Sequence, residues 1–352
     1  MHLYHYFLAF GTAFFVVVMA TPSLIKVAKL KHLVDEPSEN RKKHTVSIPT
    51  LGGVIIFSAF MFSSFLWFPD NEDTYKIITP FLCLMAGLVL IFFVGVKDDI
   101  IGTSPTKKLI AHLVVGFIIV AIGGSKITSF HGVFGLDVIF PDYAQLLVSI
   151  FVYIVIVNAI NLIDGVDGLA AGIGLIASIS FGVWFYYSHQ PQWTLVSFSL
   201  AGALSGFLLF NFNPARIFMG DSGSLTIGAI LTVLAIQLIE TPTDFLKPPF
   251  NHISTPILAM AILGYPLIDT LRVFITRTIK GKSPFEADRT HLHHKLQDKG
   301  YGHKRVVLII YLFNLLLISC AILFPSDYGT LTFAVCGLIA IGFIWFSTRK
   351  KK

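Results

Sequence analysis

Apolar residues fill most of the chain in blocks of about 15–20 residues, separated by short polar segments. Blocks of this length can cross a bilayer as α-helices, and they lack the strict alternation of a membrane β-barrel. The pattern therefore predicts an all-α, polytopic membrane protein. The eleven predicted transmembrane segments are Leu3–Ala20, Val54–Phe68, Ile77–Val96, Leu109–Ile122, Leu146–Ile163, Leu169–Tyr187, Leu195–Phe210, Leu225–Ile239, Ile257–Ile275, Val306–Phe324 and Leu331–Phe346.

The composition agrees with this fold class and argues against a soluble protein. Hydrophobic residues make up 55% of the 352 residues and charged residues only 13%, whereas soluble domains contain about 25% charged residues. The chain contains no linker, low-complexity tract or nucleic-acid-binding motif, so no nucleic acid is expected as a partner. Residues 1–352 are predicted to form one membrane domain, with a cytoplasmic loop at 276–305.

The basic residues predict the orientation in the membrane. If the eleven segments cross alternately, every Lys and Arg except Lys76, Lys126 and Lys247 falls on the same side. Cytoplasmic loops carry an excess of basic residues, so the N-terminus is predicted outside and the C-terminus inside. The net charge of +6 also favours anionic lipids and phosphorylated ligands.

The polar clusters whose side chains could bind a ligand or take part in catalysis all fall on this predicted cytoplasmic side. Carboxylates at the edge of a membrane span are costly unless they are hydrated, paired or bound to a metal, so they indicate function. The convergence of several such clusters predicts one functional surface at the cytoplasmic ends of the helices. The clusters are Asp35–Gly53, Lys97–Asp99, Asn158–Gly172, Asn211–Ser224 and Ser283–Leu296.

Acidic residues in two of these clusters suit a divalent cation. Asp98 and Asp99 are adjacent at the end of an apolar segment, and their mutual repulsion favours a cation or a general-base role. A solvated turn is the alternative. Asp221 stands among small residues at a predicted helix start, where it could bind a hard cation. Asp221 or Ser222 as a plain N-cap is the alternative there.

The segment between the fifth and sixth predicted helices combines acids with glycines. Asp164 and Asp167 are three residues apart, and each precedes a glycine; Asn158 and Asn161 repeat the spacing one turn earlier. In a helix the acids would share a face, and in a turn the glycines would expose backbone N–H groups to a ligand. A helix break with solvated acids is the alternative.

Three histidines lie close together in a basic loop, at His291, His293 and His294. Imidazole and guanidinium groups there could contact a diphosphate and stabilise charge during its cleavage. Zinc binding is one alternative, although no cysteine or fourth histidine stands at a typical spacing. A solvated surface loop is the other alternative.

Taken in order, these motifs resemble the polyprenyl-phosphate N-acetylhexosamine-1-phosphate transferase family, glycosyltransferase family 4, from Pro49–Gly53 to Ser283–His294. The segment Asp288–His294 is similar to the pattern of its WecA- and TagO-type members. The resemblance implies transfer of N-acetylglucosamine-1-phosphate from UDP-GlcNAc to undecaprenyl phosphate, with release of UMP, in the bacterial cytoplasmic membrane. Such a reaction starts a cell-envelope polysaccharide such as lipopolysaccharide or teichoic acid. Another UDP-N-acetylhexosamine donor and a homodimer both remain open.

The resemblance also implies residue roles. It implies Mg²⁺, or Mn²⁺ in its place, bound by Asp221 together with Asp98 and Asp99. The implied catalytic residues are Asp98, Asp99, Asp221, His291, His293 and His294. The implied substrate-binding residues are Asn161, Asp164, Asp167, Asn211, Lys108 and Arg289. Either Asp98 deprotonates the lipid phosphate for direct attack, or a carboxylate forms a covalent acyl-phosphate.

A secondary transporter is the main alternative from a different class, because many helices and membrane-embedded acids are common in transporters. Transporters place their coupling carboxylates near the middle of the membrane. Here the acids cluster at one interface, and the centres of the predicted helices are almost free of charge. A non-catalytic scaffold would leave the polar clusters without an explanation.

The predicted orientation can be tested by cysteine labelling. Single cysteines at Ser283 and Thr243, in a protein whose native Cys83, Cys320 and Cys336 are replaced, are expected to react from opposite sides of the membrane. An impermeant reagent applied to intact cells should modify the Thr243 position and not the Ser283 position. Modification at Ser283 under these conditions would contradict the orientation.

Overall fold

The computed structural model describes residues 3–31, 34–35, 48–68, 74–243, 246–248, 250–281, 290–325 and 328–349. Within these ranges two short strands, β1 (Val34–Asp35) and β2 (Ile48–Pro49), form one antiparallel pair. A π-helical turn at Ile118–Ile122 extends the fourth helix. The α-helices are α1 (Leu3–Leu30), α2 (Gly52–Leu66), α3 (Thr74–Ile101), α4 (Pro105–Phe117), α5 (Asp142–Leu162), α6 (Leu169–Tyr187), α7 (Pro191–Asn211), α8 (Gly220–Ile239), α9 (Thr255–Ile262), α10 (Gly264–Ile279), α11 (Leu292–Asp298), α12 (His303–Leu323) and α13 (Gly329–Thr348).

Each of the eleven apolar segments predicted from the sequence corresponds to helical structure. In the described part of the chain, nine helices are long and apolar enough to cross a membrane. The remaining two predicted segments correspond to the 15-residue helix α2 and to the pair α9–α10, which is bent by 76°. The predicted all-α, polytopic membrane fold is confirmed. The orientation of the termini stays a prediction.

Helix α8 lies at the centre of the bundle. The apolar stretch of α8 is 89% buried inside the protein, whereas the apolar stretch of α1 is 22% buried. Helix α8 packs between α3 and α5. Gly228 of α8 allows the α5 backbone to approach closely, since a Cβ atom at position 228 would lie only 2.8 Å from Val157 Cα. Because α8 is enclosed along its length, the polar groups at its ends must find partners on neighbouring helices.

The segment predicted as one helix over Ile257–Ile275 is instead broken at Leu263. Pro266 has no N–H to donate to the carbonyl of Ile262, so the regular helix cannot continue through this point. The side chain of Asn314 in α12 replaces the missing partner: its Nδ2 donates to Ile262 O at 3.0 Å, and its Oδ1 accepts from Tyr265 N at 2.9 Å. The bend is therefore held by a buried amide from another helix.

The predicted loop at 276–305 also contains regular structure. Helix α10 continues to Ile279, α11 occupies Leu292–Asp298, and α12 begins at His303. Residues 282–289 lie outside the described residues. The histidine motif therefore sits at the start of a short helix, within the segment predicted as a cytoplasmic loop.

The bridging role of Asn314 gives a stability prediction. Asn314→Ala is expected to lower the free energy of unfolding by about 2–6 kcal/mol, because it leaves two buried backbone groups unpaired at about 1–3 kcal/mol each. Thermal unfolding in a single detergent measures the change. Ser319→Ala on the same helix is the control, since Ser319 Oγ donates within its own helix to Leu315 O and is exposed. Equal melting temperatures for the two variants would contradict the bridging role.

Candidate active site

Three charged side chains from α3, α4 and α8 are in mutual contact. The Nζ atom of Lys108 lies 2.8 Å from Asp98 Oδ2 and 2.7 Å from Asp221 Oδ2. The side chains of Lys108, Asp98 and Asp221 remain 27%, 18% and 23% exposed, so the cluster is partly open to ligands. The structure thus brings together a basic residue and two acids that stand far apart in the sequence.

Asp99, next to Asp98, has a different environment. Its two carboxylate oxygens accept the backbone N–H groups of Asp221 at 2.7 Å and Ser222 at 3.0 Å. Asp99 therefore caps the amino end of α8, where the first N–H groups of a helix lack partners and the helix dipole favours negative charge. The alternative in which Asp221 or Ser222 caps its own helix does not hold, because the cap comes from α3.

Glycines allow the chain to pack directly on this helix end. A Cβ at Gly95 of α3 would lie 2.5 Å from Ser222 Cα, and a Cβ at Gly53 would overlap the backbone of Gly223. The N–H of Gly53 donates to Met219 O at 2.8 Å. The predicted Pro49–Gly53 motif thus has a backbone role, because it holds the segment that leads into α8.

Asn161 links α5 to the same cluster. Its Nδ2 donates to Asp221 Oδ1 at 3.0 Å and to Ser224 Oγ at 2.8 Å. Asn158, one turn earlier with the same sequence spacing, donates instead to the Ile154 carbonyl of its own helix at 2.7 Å. Of the two amides in this repeat, only Asn161 therefore contacts the acidic cluster.

Two further residues predicted to bind substrate brace the loops around the site. Asp167 is 6% exposed and accepts hydrogen bonds from Asn213 Nδ2 at 2.9 Å and Ala215 N at 3.1 Å. Asn211 is 3% exposed, and its Oδ1 accepts from Gly168 N at 3.0 Å. These contacts tie the turn after α5 to the segment between α7 and α8.

Asp164 interacts with the acidic cluster through its charge. Burial, followed by the negative charges of Asp221, Asp99 and Asp167, raises the pKa of Asp164 well above its usual range, although a hydrogen bond with the Gly220 backbone opposes this effect. Several carboxyl groups therefore face one another at this end of α8. Such a group of acids favours a bound cation or bound protons.

The histidine motif is held by buried groups of α10. His291 Nδ1 lies 2.8 Å from Asp269 Oδ2, and the N–H of Leu292 donates to Asp269 Oδ1 at 2.7 Å. His293 Nδ1 lies 3.3 Å from the hydroxyl of Tyr265. Burial outweighs the nearby Asp269 carboxylate and lowers the pKa of His293 to about 3, so this imidazole is neutral at physiological pH.

The histidine motif borders the same turn as the acidic cluster. A Cβ built on Gly165 would lie 3.5 Å from His293 Nε2, and the ring of His294 lies 4.3 Å from that of His293. The hydroxyl of Tyr311 in α12 donates to the carbonyl of Gly168. The turn at residues 163–168 therefore lies between the two groups of predicted site residues.

Sequence reasoning missed three of these residues. Asp269 had a detectable signal, because an acid inside the apolar segment Ile257–Ile275 is costly unless it is paired. Tyr265 and Tyr311 had none, since buried aromatic residues are common in helix bundles. The predicted residue Arg289 lies outside the described residues, and its role stays a prediction.

The acidic cluster fits the divalent cation that the resemblance implies only as a partial set of ligands. Among the described residues, no three or more His, Cys, Asp or Glu side chains are arranged to bind a metal ion. Asp98 and Asp221 nevertheless offer hard carboxylate oxygens in a partly open position. Mg²⁺ is commonly held by one or two carboxylates together with water and substrate phosphates. The side chains fit that arrangement, and they do not form a complete protein cage.

The fold and this cluster define a polytopic membrane protein with a polar site at one end of its helices, and sequence comparison identifies the family. The model described as "Glycosyl transferase family 4" matches residues 81–239, which span α3 through α8. Together with relatives that are 33% identical over most of the chain, this match shows that the protein belongs to glycosyl transferase family 4.

Three relatives illustrate the extent of the similarity. The "Decaprenyl-phosphate N-acetylglucosaminephosphotransferase" of Mycobacterium tuberculosis is 33% identical over 316 residues, covering 86% of this chain and 78% of the relative. The "Probable undecaprenyl-phosphate N-acetylglucosaminyl 1-phosphate transferase" of Bacillus subtilis is 33% identical, covering 90% and 84%. The "Undecaprenyl-phosphate alpha-N-acetylglucosaminyl 1-phosphate transferase" of Escherichia coli is 29% identical, covering 85% and 78%.

The raised pKa of Asp164 predicts that the stability difference between the wild-type protein and Asp164→Asn depends on pH. In metal-free buffer near pH 7, Asp164→Asn is expected to raise the free energy of unfolding, because the amide is neutral and needs neither a bound proton nor a buried negative charge beside Asp99 and Asp221. The folded wild type binds more protons than the unfolded chain, so it loses stability as the pH rises above about 4. The difference in the free energy of unfolding between the variant and the wild type should therefore increase as the pH rises above about 4 and approach zero towards pH 4.

Thermal unfolding in EDTA between pH 4 and pH 8 measures this difference. Asp298→Asn is the control, because the Asp298 side chain is 59% exposed and lies at the end of α11, 4.0 Å from Lys295. A stability difference for Asp164→Asn that does not change with pH would contradict the assignment of the raised pKa.

Proposed function

We propose that the protein transfers N-acetylglucosamine-1-phosphate from UDP-GlcNAc to undecaprenyl phosphate, giving undecaprenyl-diphospho-GlcNAc and UMP. The observation that carries the proposal is the contact of Lys108 with both Asp98 and Asp221. The names of the relatives support the transferred group, N-acetylglucosamine phosphate, and the lipid acceptor. Another UDP-N-acetylhexosamine is the alternative donor. The product would begin a cell-envelope polysaccharide.

The proposed reaction brings two anionic phosphates together. An oxygen of the lipid phosphate attacks the β-phosphorus of the UDP-sugar, the bond from that phosphorus to the bridging oxygen breaks, and UMP leaves. The ammonium group of Lys108 offsets part of the repulsion between the phosphates. Asp98, whose partly exposed carboxylate is next to Lys108, would accept the proton of a monoanionic lipid phosphate.

The proposed cofactor is Mg²⁺, with Mn²⁺ as the alternative. Asp98 and Asp221 would hold it, and Asp99 would keep Asp221 in place by capping α8. When bound, the cation would neutralise phosphate charge and orient the reacting groups. Because the described residues offer few ligands, the substrate phosphates would complete the coordination.

The proposed roles of the remaining residues follow from their positions. Asn161 and Asp164 lie on the α5 side of the cluster and would contact the nucleotide. His291, His293 and His294 would lie near the diphosphate and the sugar, since His293 borders the turn at Gly165. The predicted orientation would place this site in the cytoplasm.

The metal proposal predicts the behaviour of Asp221→Asn. The amide retains the shape of the side chain but removes the charge, and turnover is expected to fall by about 10²–10³-fold, as for other groups that stabilise charge in a transition state. The measurement is release of UMP from UDP-GlcNAc by purified protein in detergent with Mg²⁺ and undecaprenyl phosphate. Asp298→Asn should keep the wild-type rate.

Two results would count against the proposal. Near-normal turnover of Asp221→Asn, or full turnover in excess EDTA, would refute the assignment of the cation. Absence of UMP release by the wild-type protein with every UDP-N-acetylhexosamine tested would refute the function itself.

A further inference from the structure

Asp269 is a carboxylate buried inside the bent helix α9–α10. It is 0% exposed, and an isolated carboxylate in such a place would be strongly unfavourable. Both of its oxygens are engaged by the histidine motif: Oδ2 lies 2.8 Å from His291 Nδ1, and Oδ1 accepts the N–H of Leu292 at 2.7 Å. Its Oδ2 also lies 4.0 Å from His293 Nδ1.

This geometry fixes the proton arrangement of His291. A carboxylate at 2.8 Å from Nδ1 requires a proton on that nitrogen. Nε2 is then the only ring nitrogen of His291 that can act on a substrate group, either as an acceptor or as a donor after protonation. The second bond, to the Leu292 N–H, fixes the start of α11 relative to α10.

We infer that Asp269 is the positioning residue of the histidine motif: it sets the tautomer and orientation of His291 for contact with a substrate phosphate. The inference deepens the proposed function and rests on it for the identity of the substrate. Asp269 would act through His291, without touching the substrate, as carboxylates do that orient the imidazole ligands of metal sites.

The protein contains a chemically matched pair at the other end of α8. Glu240 Oε1 lies 3.0 Å from His131 Nε2 and accepts the N–H of Thr128 at 2.9 Å. It therefore also combines a carboxylate, an imidazole and a backbone N–H. The 20 residues of α8 separate it from Asp221 by about 30 Å. Glu240→Gln is thus a control for loss of a carboxylate–histidine contact outside the site.

The first test is a double-mutant cycle on the turnover number. Asp269→Asn keeps the side-chain shape and an oxygen for the Leu292 N–H, and is expected to lower kcat by about 10–100-fold. In a His291→Gln background the same substitution should change kcat by less than about 2-fold, because the residue through which Asp269 acts is already gone. Glu240→Gln should leave kcat unchanged.

Two results of the cycle would overturn the inference. One is an equal loss of kcat from Asp269→Asn in both backgrounds, which would indicate a general structural role. The other is a wild-type kcat for Asp269→Asn. Melting temperatures of all variants, measured in the same detergent, show whether a loss of kcat comes from loss of the fold.

The second test does not depend on turnover. In protein labelled with 15N at histidine, the ring resonances of His291 are identified by their absence in His291→Gln. They should show a proton on Nδ1 in the wild type and loss of that preference in Asp269→Asn. An unprotonated Nδ1 in the wild type would overturn the inference even if no variant is active. A protonated Nδ1 together with no UMP release would instead refute the proposed function and leave the role of Asp269 intact.

Discussion

Two hydrogen bonds, from the backbone N–H groups of Asp221 and Ser222 to the carboxylate of Asp99, hold the amino end of α8 against α3. Water cannot easily replace them, because α8 is buried along most of its length. Gly95 makes the approach of α3 sterically feasible. Since Asp98 follows Gly95 on the same helix, the contact that satisfies α8 also places Asp98 beside Asp221 and Lys108.

The turn at residues 163–168 connects this acidic cluster to the histidine motif. Asp167 and Asn211 anchor it to the segment between α7 and α8, and Tyr311 binds its last carbonyl from α12. His293 packs against its Gly165. A turn held from three sides can keep acids and histidines at fixed separations, as a reaction between two phosphates requires.

The sequence predicted the helical segments well because apolar length is a local property of the chain. The bend at Leu263 escaped prediction although Pro266 was visible in the sequence, because apolar residues continue on both sides of it. The amide that holds the bend, Asn314, lies 52 residues beyond Ile262. Proximity of the acidic clusters was predictable because the predicted topology places them on the same side of the membrane. The bracing roles of Asp167 and Asn211 were not, because an isolated polar residue gives no indication whether it faces a ligand or a backbone group.

The balance of charge in the site gives a physical reason for the proposed cation. In the part of the chain that the structure describes, the ammonium group of Lys108 pairs with Asp98 and Asp221, and Asp99 lies beside them at the start of α8. The same surroundings favour the protonated form of Asp164. A UDP-sugar and a lipid phosphate would each add negative charge at this point. A divalent cation that binds together with the substrate phosphates would offset the repulsion between these phosphates and the carboxylates of the site. Under the proposed reaction, two protein carboxylates are then sufficient, because the substrates provide the remaining ligands.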